Sequence, residues 1–325
     1  MFNNQKILIS GGTGMIGRSL IRQLKKYNPS SITSVSMDTS QIDGVECLQL
    51  DLTDINLCNE VCEGKDYIFH LAGIKGSPDM AAKKPASFSV PMLQFNTNMI
   101  QAAANYAKWF LYTSSIGVYQ PAPLLKEDDV WKTFPSPNDK FAGWSKRIGE
   151  LTIEAYGIEL GLKNMSIVRP ANVYGQYDNF NPESCMVVPA LINRIFSGEN
   201  PLKVWGNGEQ IRDLIHADDV ARGMIHAVEN KITEPINLGS GNGVLIRELV
   251  ELVVEYYHRM TGKQVSILYD ASKPSGDPIR LMDMTRAKSY GFKCDVPLDI
   301  GVWNTMNWYN QNKHLLKFRY EPFKV

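Results

Sequence analysis

The chain has 325 residues and 44% hydrophobic content, enough for one large or two medium domains built on a real core. Thirty-four basic residues balance thirty-four acidic ones, so no overall field draws nucleic acid or an anionic membrane, and an anionic ligand must be held by local groups. The five cysteines lack metal-like pairing: Cys58 and Cys62 lie four apart with no His or second pair beside them, so no metal is expected and the thiols read as reduced, in a cytoplasmic protein.

The first residues, MFNNQKILIS, run straight into an apolar strand pattern without a signal-peptide layout. Ile7, Leu8 and Ile9 form a continuous aliphatic run, as a parallel strand covered on both faces should. Gly11, Gly14 and Gly17 follow. The first can turn the chain, the second lets a pyrophosphate approach the backbone, and the third lets a helix pack close to the sheet. From Ile16 the positions Leu20, Ile21, Leu24 and Tyr27 recur at helical spacing, so the free N–H groups of that helix's first turn face whatever fills the loop. Asp38 ends the next apolar run, about twenty residues past the last glycine, where a carboxylate can accept from both adenosine ribose hydroxyls and repel a 2′-phosphate. NAD is therefore favoured over NADP.

Further strand-like runs fall at Glu46 to Leu50, Tyr67 to Leu71, Trp109 to Thr113 and Met165 to Val168, with helical patterns between them. Two of these, Phe88 to Ala107 and Phe141 to Gly157, predict long helices that cover the sheet. The weakly charged stretch from Pro85 to Ala107 holds two prolines and several Asn and Gln, which argues against a membrane span. Alternation of this kind predicts an α/β fold: a Rossmann-type doubly wound parallel sheet with a smaller C-terminal α/β substrate domain. Residues 1–175, with 214–238 returning to them, form the expected dinucleotide-binding domain, and 176–325 form mainly the substrate domain. Pro121 to Pro137 reads as an irregular loop, a candidate lid or substrate-side wall, and a helix is expected near Val244 to Met260.

An ordered set of motifs spans nearly the whole chain. It comprises Gly11-x-x-Gly14-x-x-Gly17, Asp38, Asp51-Leu52, His70-Leu71-Ala72-Gly73, Ser114-Ser115-x-x-Val118-Tyr119, Lys146, Arg169-Pro170-x-Asn172-Val173-Tyr174-Gly175 and Ile211 to His216. In this order the set resembles the extended short-chain dehydrogenases/reductases, in their nucleotide-sugar epimerase and dehydrogenase branch. The resemblance implies NAD in the first domain and a nucleoside-diphosphate sugar in the cleft. It implies cofactor contacts from Gly11, Thr13, Gly14, Met15, Ile16, Gly17, Asp38, Asp51, Leu52, Leu71, Ala72, Gly73, Asn98, Thr113 and Lys146. Ser115 and Lys146 would be catalytic, with Ser115 on a sugar hydroxyl or carbonyl and Lys146 on the nicotinamide ribose. Asn172 and Arg212 would meet the diphosphate, with Val188 beside them. Asn98 and Tyr174 read equally well as packing residues, and His70 reads more readily as a structural histidine than as a catalyst.

Two departures from the family pattern matter. Relatives place a catalytic tyrosine four residues before the lysine, and here that position is Ala142, preceded by Phe141 about 100° around the helix. Losing a positioned general base typically costs two to four powers of ten in rate. The substitutes read from sequence are a Ser115 relay to Lys146, Lys146 itself, or Glu127 or Asp128 from the loop. The acidic pair that dehydrating relatives carry after the serine is replaced by Ile116-Gly117, which argues against a 4,6-dehydratase and leaves hydride chemistry, at C4. The stretch Asp270 to Arg286 is similar to the corresponding part of GDP-fucose synthases and favours a guanosine diphosphate sugar, with Lys273 and Arg280 as clamps. PxxKFAGWSKRxGE, from Pro137, resembles dehydrogenases of surface-polysaccharide clusters, including those acting on GDP-manno-heptose. The resulting expectation is an NAD-dependent C4 oxidation of a GDP-hexose or GDP-heptose. The alternatives are a 4-epimerase, a 4-keto-sugar reductase and a non-catalytic NAD sensor. Relatives commonly pair through their two long helices, so a homodimer or homotetramer is expected.

Overall fold

The computed structural model describes residues 1–74, 83–273 and 276–316. β1 (Lys6–Ser10) is the aliphatic run at the start, and every residue after its first is buried. It pairs in parallel with β2 (Ser31–Ser36) on one side and β4 (Tyr67–His70) on the other. β3 (Glu46–Gln49), β5 (Trp109–Thr113), β6 (Met165–Pro170) and β10 (Ile236–Leu238) complete a seven-stranded parallel sheet in the order β10-β6-β5-β4-β1-β2-β3. The strand order reverses between β1 and β4, which opens a crevice beyond the carboxyl ends of the strands. All later placement of chemistry follows from that switch point.

Helices cover both faces. On one face α1 (Met15–Leu24) inserts Leu20, Ile21 and Leu24 into a core that also takes Val220, Ala221 and Met224 of α6 (Ala217–Glu229). Full burial of such an aliphatic side chain contributes about 1.5–3 kcal/mol, so three of them hold α1 firmly against the sheet. On the other face lie α2 (Ile55–Cys62), α3 (Pro85–Tyr106) and α4 (Lys140–Leu160), with Phe88, Met92, Phe95 and Met99 of α3 packed over Ile68, Phe110 and Tyr112. Both long helices thus exist: α3 begins three residues before the expected Phe88 and ends at Tyr106, and α4 runs from one residue before to three beyond the expected Phe141 to Gly157.

After β6 the chain builds smaller sheets. β9 (Ile211–His216) pairs with β7 (Asn172–Tyr174), with β11 (Gly243–Leu245) and with β13 (Ile279–Arg280), while β8 (Leu202–Trp205) pairs with β12 (Ile267–Asp270). Three helices, α5 (Val187–Phe196), α7 (Ile246–Thr261) and α9 (Leu298–Asn312), enclose a third core around Leu191, Ile192, Leu249, Val253 and Met306. The helix expected from Val244 begins at Ile246, because Val244 is taken up opposite Arg212 in the β11–β9 ladder. A short helix, α8 (Thr285–Ser289), packs on β10. Among the described residues no helix is long and apolar enough to cross a membrane.

Candidate active site

A cavity of about 700 Å³ opens at the switch point and runs from the glycine loop to α5 and β13. Its first end is made by backbone. Gly11 adopts φ +72°, and a Cβ there would stand 3.0 Å from the Ala72 backbone nitrogen; a Cβ on Gly17 would stand 2.4 Å from the Gly11 carbonyl oxygen. Gly14 is the N-cap of α1 and gives no side-chain cap, and the first turn holds no acidic residue, so its N–H groups remain available for an anion. Thr13, Met15, Ile16, Leu71, Ala72 and Gly73 line the same end.

Asp38 lies at the end of β2 and also lines the cavity, with Thr13 Oγ1 2.7 Å from its Oδ2 and the Ser40 amide donating to Oδ1 at 2.9 Å. Asp51 and Leu52 line the wall beyond it, and the Asp51 carboxylate accepts from the Thr53 amide and hydroxyl. Asn98 is not among the lining residues. Its Nδ2 instead donates to the Leu52 and Thr53 carbonyl oxygens at 3.2 and 2.9 Å, so α3 fixes the loop that forms this wall. Two hydroxyls at the end of β5, Thr113 Oγ1 and Ser114 Oγ, are buried without a hydrogen-bond partner among the described residues, although both residues line the cavity. The glycine cradle, the ribose-side carboxylate and these orphaned hydroxyls fit a dinucleotide. Such a group, when bound, supplies a hydride carrier.

The middle of the cavity carries Ser115, Ala142 and Lys146 together. Lys146 projects from α4, and its Nζ donates to the Thr113 carbonyl at 2.8 Å and reaches the Ala72 carbonyl at 3.5 Å. Burial pulls its pKa down to about 8, against the attraction of Glu150 one turn further along α4. Ser115 Oγ accepts from the Gly117 amide at 3.0 Å as the cap of a single 3₁₀ turn, which fixes the hydroxyl at the cavity wall. Ala142 faces the space one turn before Lys146, and Phe141 points outward, 41% exposed.

His70 is structural. It is fully buried, with Nδ1 2.6 Å from Ser10 Oγ and Nε2 2.9 Å from Asn96 Oδ1, and burial followed by the nearby Lys146 charge pushes its pKa down to about 3. Tyr174 is likewise packed, 1% exposed, within the third core, though it borders the cavity. The loop from Pro121 to Pro137 contributes no lining residue. Glu127 accepts from the Asn237 amide at 3.0 Å, and Asp128 pairs with Arg286 on the surface, so neither acid stands at the cavity as a substitute base. The reason is the isolated bridge between Leu125 and Met282, which ties the loop to the segment that follows β13.

At the second end Asn172 lines the cavity and its Nδ2 donates to the Asp213 carbonyl at 2.9 Å, while Val188 enters from α5. Arg280 lines it too. Its guanidinium bonds Asp277 at 2.9 and 2.6 Å and pairs with Asp139; burial lowers its pKa, but the two carboxylates outweigh that and leave it raised. Arg212 does not line the cavity and stands beside Arg280 as its partner in the β13–β9 ladder. Burial, then the charge of Arg280, pulls its pKa down to about 10. Lys273 is exposed and outside the lining. Sequence reasoning missed Asp139, Asp178 and Asn181, which all line the cavity. Asp139 carried a signal: it lies seven residues, two helical turns, before Lys146.

The profile of the NAD dependent epimerase/dehydratase family matches residues 7–239. The chain belongs to this family. Membership makes it an enzyme of nucleotide-sugar chemistry that works with a nicotinamide dinucleotide. The chain is 30% identical over 322 residues to a probable GDP-L-fucose synthase of Oryza sativa subsp. japonica, covering 94% of this chain and 92% of that protein. It is 28% identical over 331 residues to the GDP-L-fucose synthase of Escherichia coli strain K12, covering 96% and 98%. In fold it is similar to the UDP-glucose 4-epimerase of Thermotoga maritima, with a TM-score of 0.82, 24% identity, and coverage of 95% and 99%.

Proposed function

We propose that the protein uses NAD to oxidise C4 of a guanosine diphosphate sugar, a hexose or heptose, in the supply of surface-polysaccharide precursors. The observation that carries the reading is the sharing of one cavity by Asp38, Lys146 and Arg280. A ribose-side carboxylate, a buried amine and an arginine fork follow one another along it, which suits a dinucleotide and a diphosphate laid end to end. A carboxylate at position 38 accepts two ribose hydroxyls and repels a 2′-phosphate, hence NAD over NADP. The GDP preference rests on the similarity to GDP-L-fucose synthases over nearly the full chain.

In this reading the chain's own groups bind and orient. Arg280 and Asn172 anchor the diphosphate, Ser115 donates to the C4 oxygen, and Lys146 holds the ribose and its local positive charge. Remote diphosphate binding then positions the carbinol carbon, the main contribution to rate.

A second reading, reduction of a 4-keto sugar with or without epimerisation, is favoured by the names of the same relatives. The test supplies GDP-, UDP- and dTDP-sugars to protein whose cofactor is oxidised, and follows nicotinamide absorbance and the sugar product. Reduced nicotinamide with a 4-keto GDP-sugar is the expected result. An inverted sugar supports an epimerase, turnover only of a keto sugar with reduced cofactor supports the reductase, and no change with any sugar points to a sensor. The outer faces of α3 and α4 expose Val90, Leu151 and Ile158, and we read them as the pairing face of a homo-oligomer, which sedimentation of the purified protein measures.

A further inference from the structure

The family phenol is absent, yet the cavity holds an acid that the substrate clamp does not need. Asp139 immediately precedes α4 at its N-cap position but makes no side-chain cap bond. A carboxylate at that place ordinarily accepts from the helix's first free amides. Here it reaches instead across the cavity mouth to Arg280. Asp139, Ala142 and Lys146 follow one another at spacings of three and four residues, so they share one side of the helix, and all three line the cavity. A Cβ placed on Gly117 would stand 3.5 Å from Ser115 Oγ and 3.6 Å from Asp139 Cγ, so the serine hydroxyl and the carboxyl flank a single point. The small side chain of Ala142 leaves the space between Asp139 and Lys146 open.

Arg280 carries two carboxylates, and they are anchored unequally. Asp277 is also held by Ser136 Oγ at 3.0 Å and Asn138 Nδ2 at 2.8 Å. The Asp139 carboxylate has Arg280 as its one hydrogen-bond partner among the described residues, with the Arg212 charge close by. An arriving diphosphate brings negative charge and a better bidentate match to the guanidinium, and like-charge repulsion falls on the carboxylate that can move. That is Asp139.

We infer that Asp139 is the group that accepts the sugar hydroxyl proton, and that it is released from Arg280 when the substrate diphosphate engages that guanidinium. The inference rests on the C4 oxidation proposed above. In that step the C–H bond breaks with its electron pair going to oxidised nicotinamide, the O–H proton passes to the Asp139 carboxylate, and the C4–O bond becomes a carbonyl. Coupling the two events keeps the acceptor neutralised until a substrate is present.

The test compares wild type, Asp139→Asn and Asp139→Glu, each purified with its cofactor and checked for folding by thermal melting. GDP binding is measured by calorimetry, without any sugar or turnover. The Asn variant should bind GDP several-fold more tightly, because no carboxylate competes for Arg280. In single turnover with the sugar found active for wild type, the same variant should lose roughly 10²–10⁴-fold in hydride transfer. The Glu variant should keep much of the rate, since it restores a carboxylate. Hydride transfer by the Asn variant within about threefold of wild type overturns the assignment, and unchanged or weaker GDP binding overturns the exchange at Arg280. Wild type that turns over no nucleotide sugar overturns the C4 oxidation itself, a result distinct from either.

Discussion

Lys146 Nζ lies 2.8 Å from the Thr113 carbonyl oxygen, so a buried amine on α4 is tied to the carboxyl end of β5, next to the central strand of the sheet. Replacing it by Met should remove that tie and the only lysine that lines the cavity among the described residues, and the proposed sugar oxidation should fall below detection while GDP binding persists. The amine also leaves a stability signature. The unfolded lysine keeps its proton to about 10.5, whereas the folded one releases it at about 8. Between those values the unfolded state binds more protons, so unfolding free energy rises with pH there, and below pH 8 the full cost of burying the ammonium applies. The urea stability of wild type minus that of Lys146→Met should climb by up to roughly 3 kcal/mol from pH 8 to 10.5. A flat difference would remove the buried ammonium from the account.

Arg169 Nε and Nη2 bond the two carboxylate oxygens of Glu150 at 2.9 and 2.7 Å, with both side chains almost fully buried. The pair fixes α4 on β6 and so sets where Lys146 enters the cavity. Truncating one partner leaves a buried charge uncompensated, which costs about 3–5 kcal/mol. Glu150→Leu should therefore lower the denaturant midpoint sharply, and adding Arg169→Met should recover much of the loss. If the double variant is no more stable than the single one, the pair is not the source of the cost.

Gly17→Ala places a methyl group 2.4 Å from the Gly11 carbonyl oxygen, against backbone that cannot rotate away. Overpacking of this kind costs about 1–3 kcal/mol, and here it deforms the phosphate loop itself. The variant should melt lower and co-purify with far less nicotinamide than wild type. Normal cofactor content would show that the loop does not hold the pyrophosphate.

Asp38 has Thr13 Oγ1 2.7 Å from one carboxylate oxygen, beside the loop that leads into α1. Exchanging it for Ser keeps a small polar group and removes the charge that repels a 2′-phosphate. The ratio of NADP to NAD affinity should rise by at least about tenfold, read by fluorescence titration of protein stripped of cofactor. An unchanged ratio would take the selectivity away from Asp38.

The sequence alone determined the dinucleotide end of this protein. Gly11, Gly14, Gly17 and Asp38 sit on a strand, a turn, a helix and the strand after it, all neighbours along the chain, so their spacing already carries their geometry. Lys146, Ala142 and the missing phenol were likewise legible, because helical periodicity fixes which residues share a face. What only the tertiary structure decided depends on strand register and on contacts between distant segments. Arg280, rather than Lys273, lines the cavity because β13 pairs with β9 at Arg212. Asn98 holds the Leu52 and Thr53 carbonyls across more than forty residues. The Leu125–Met282 bridge withdraws Glu127 and Asp128, and the ion pair from Arg280 turns Asp139 away from its helix. Local spacing cannot encode such pairings, since they form only when the separate elements close around a common core.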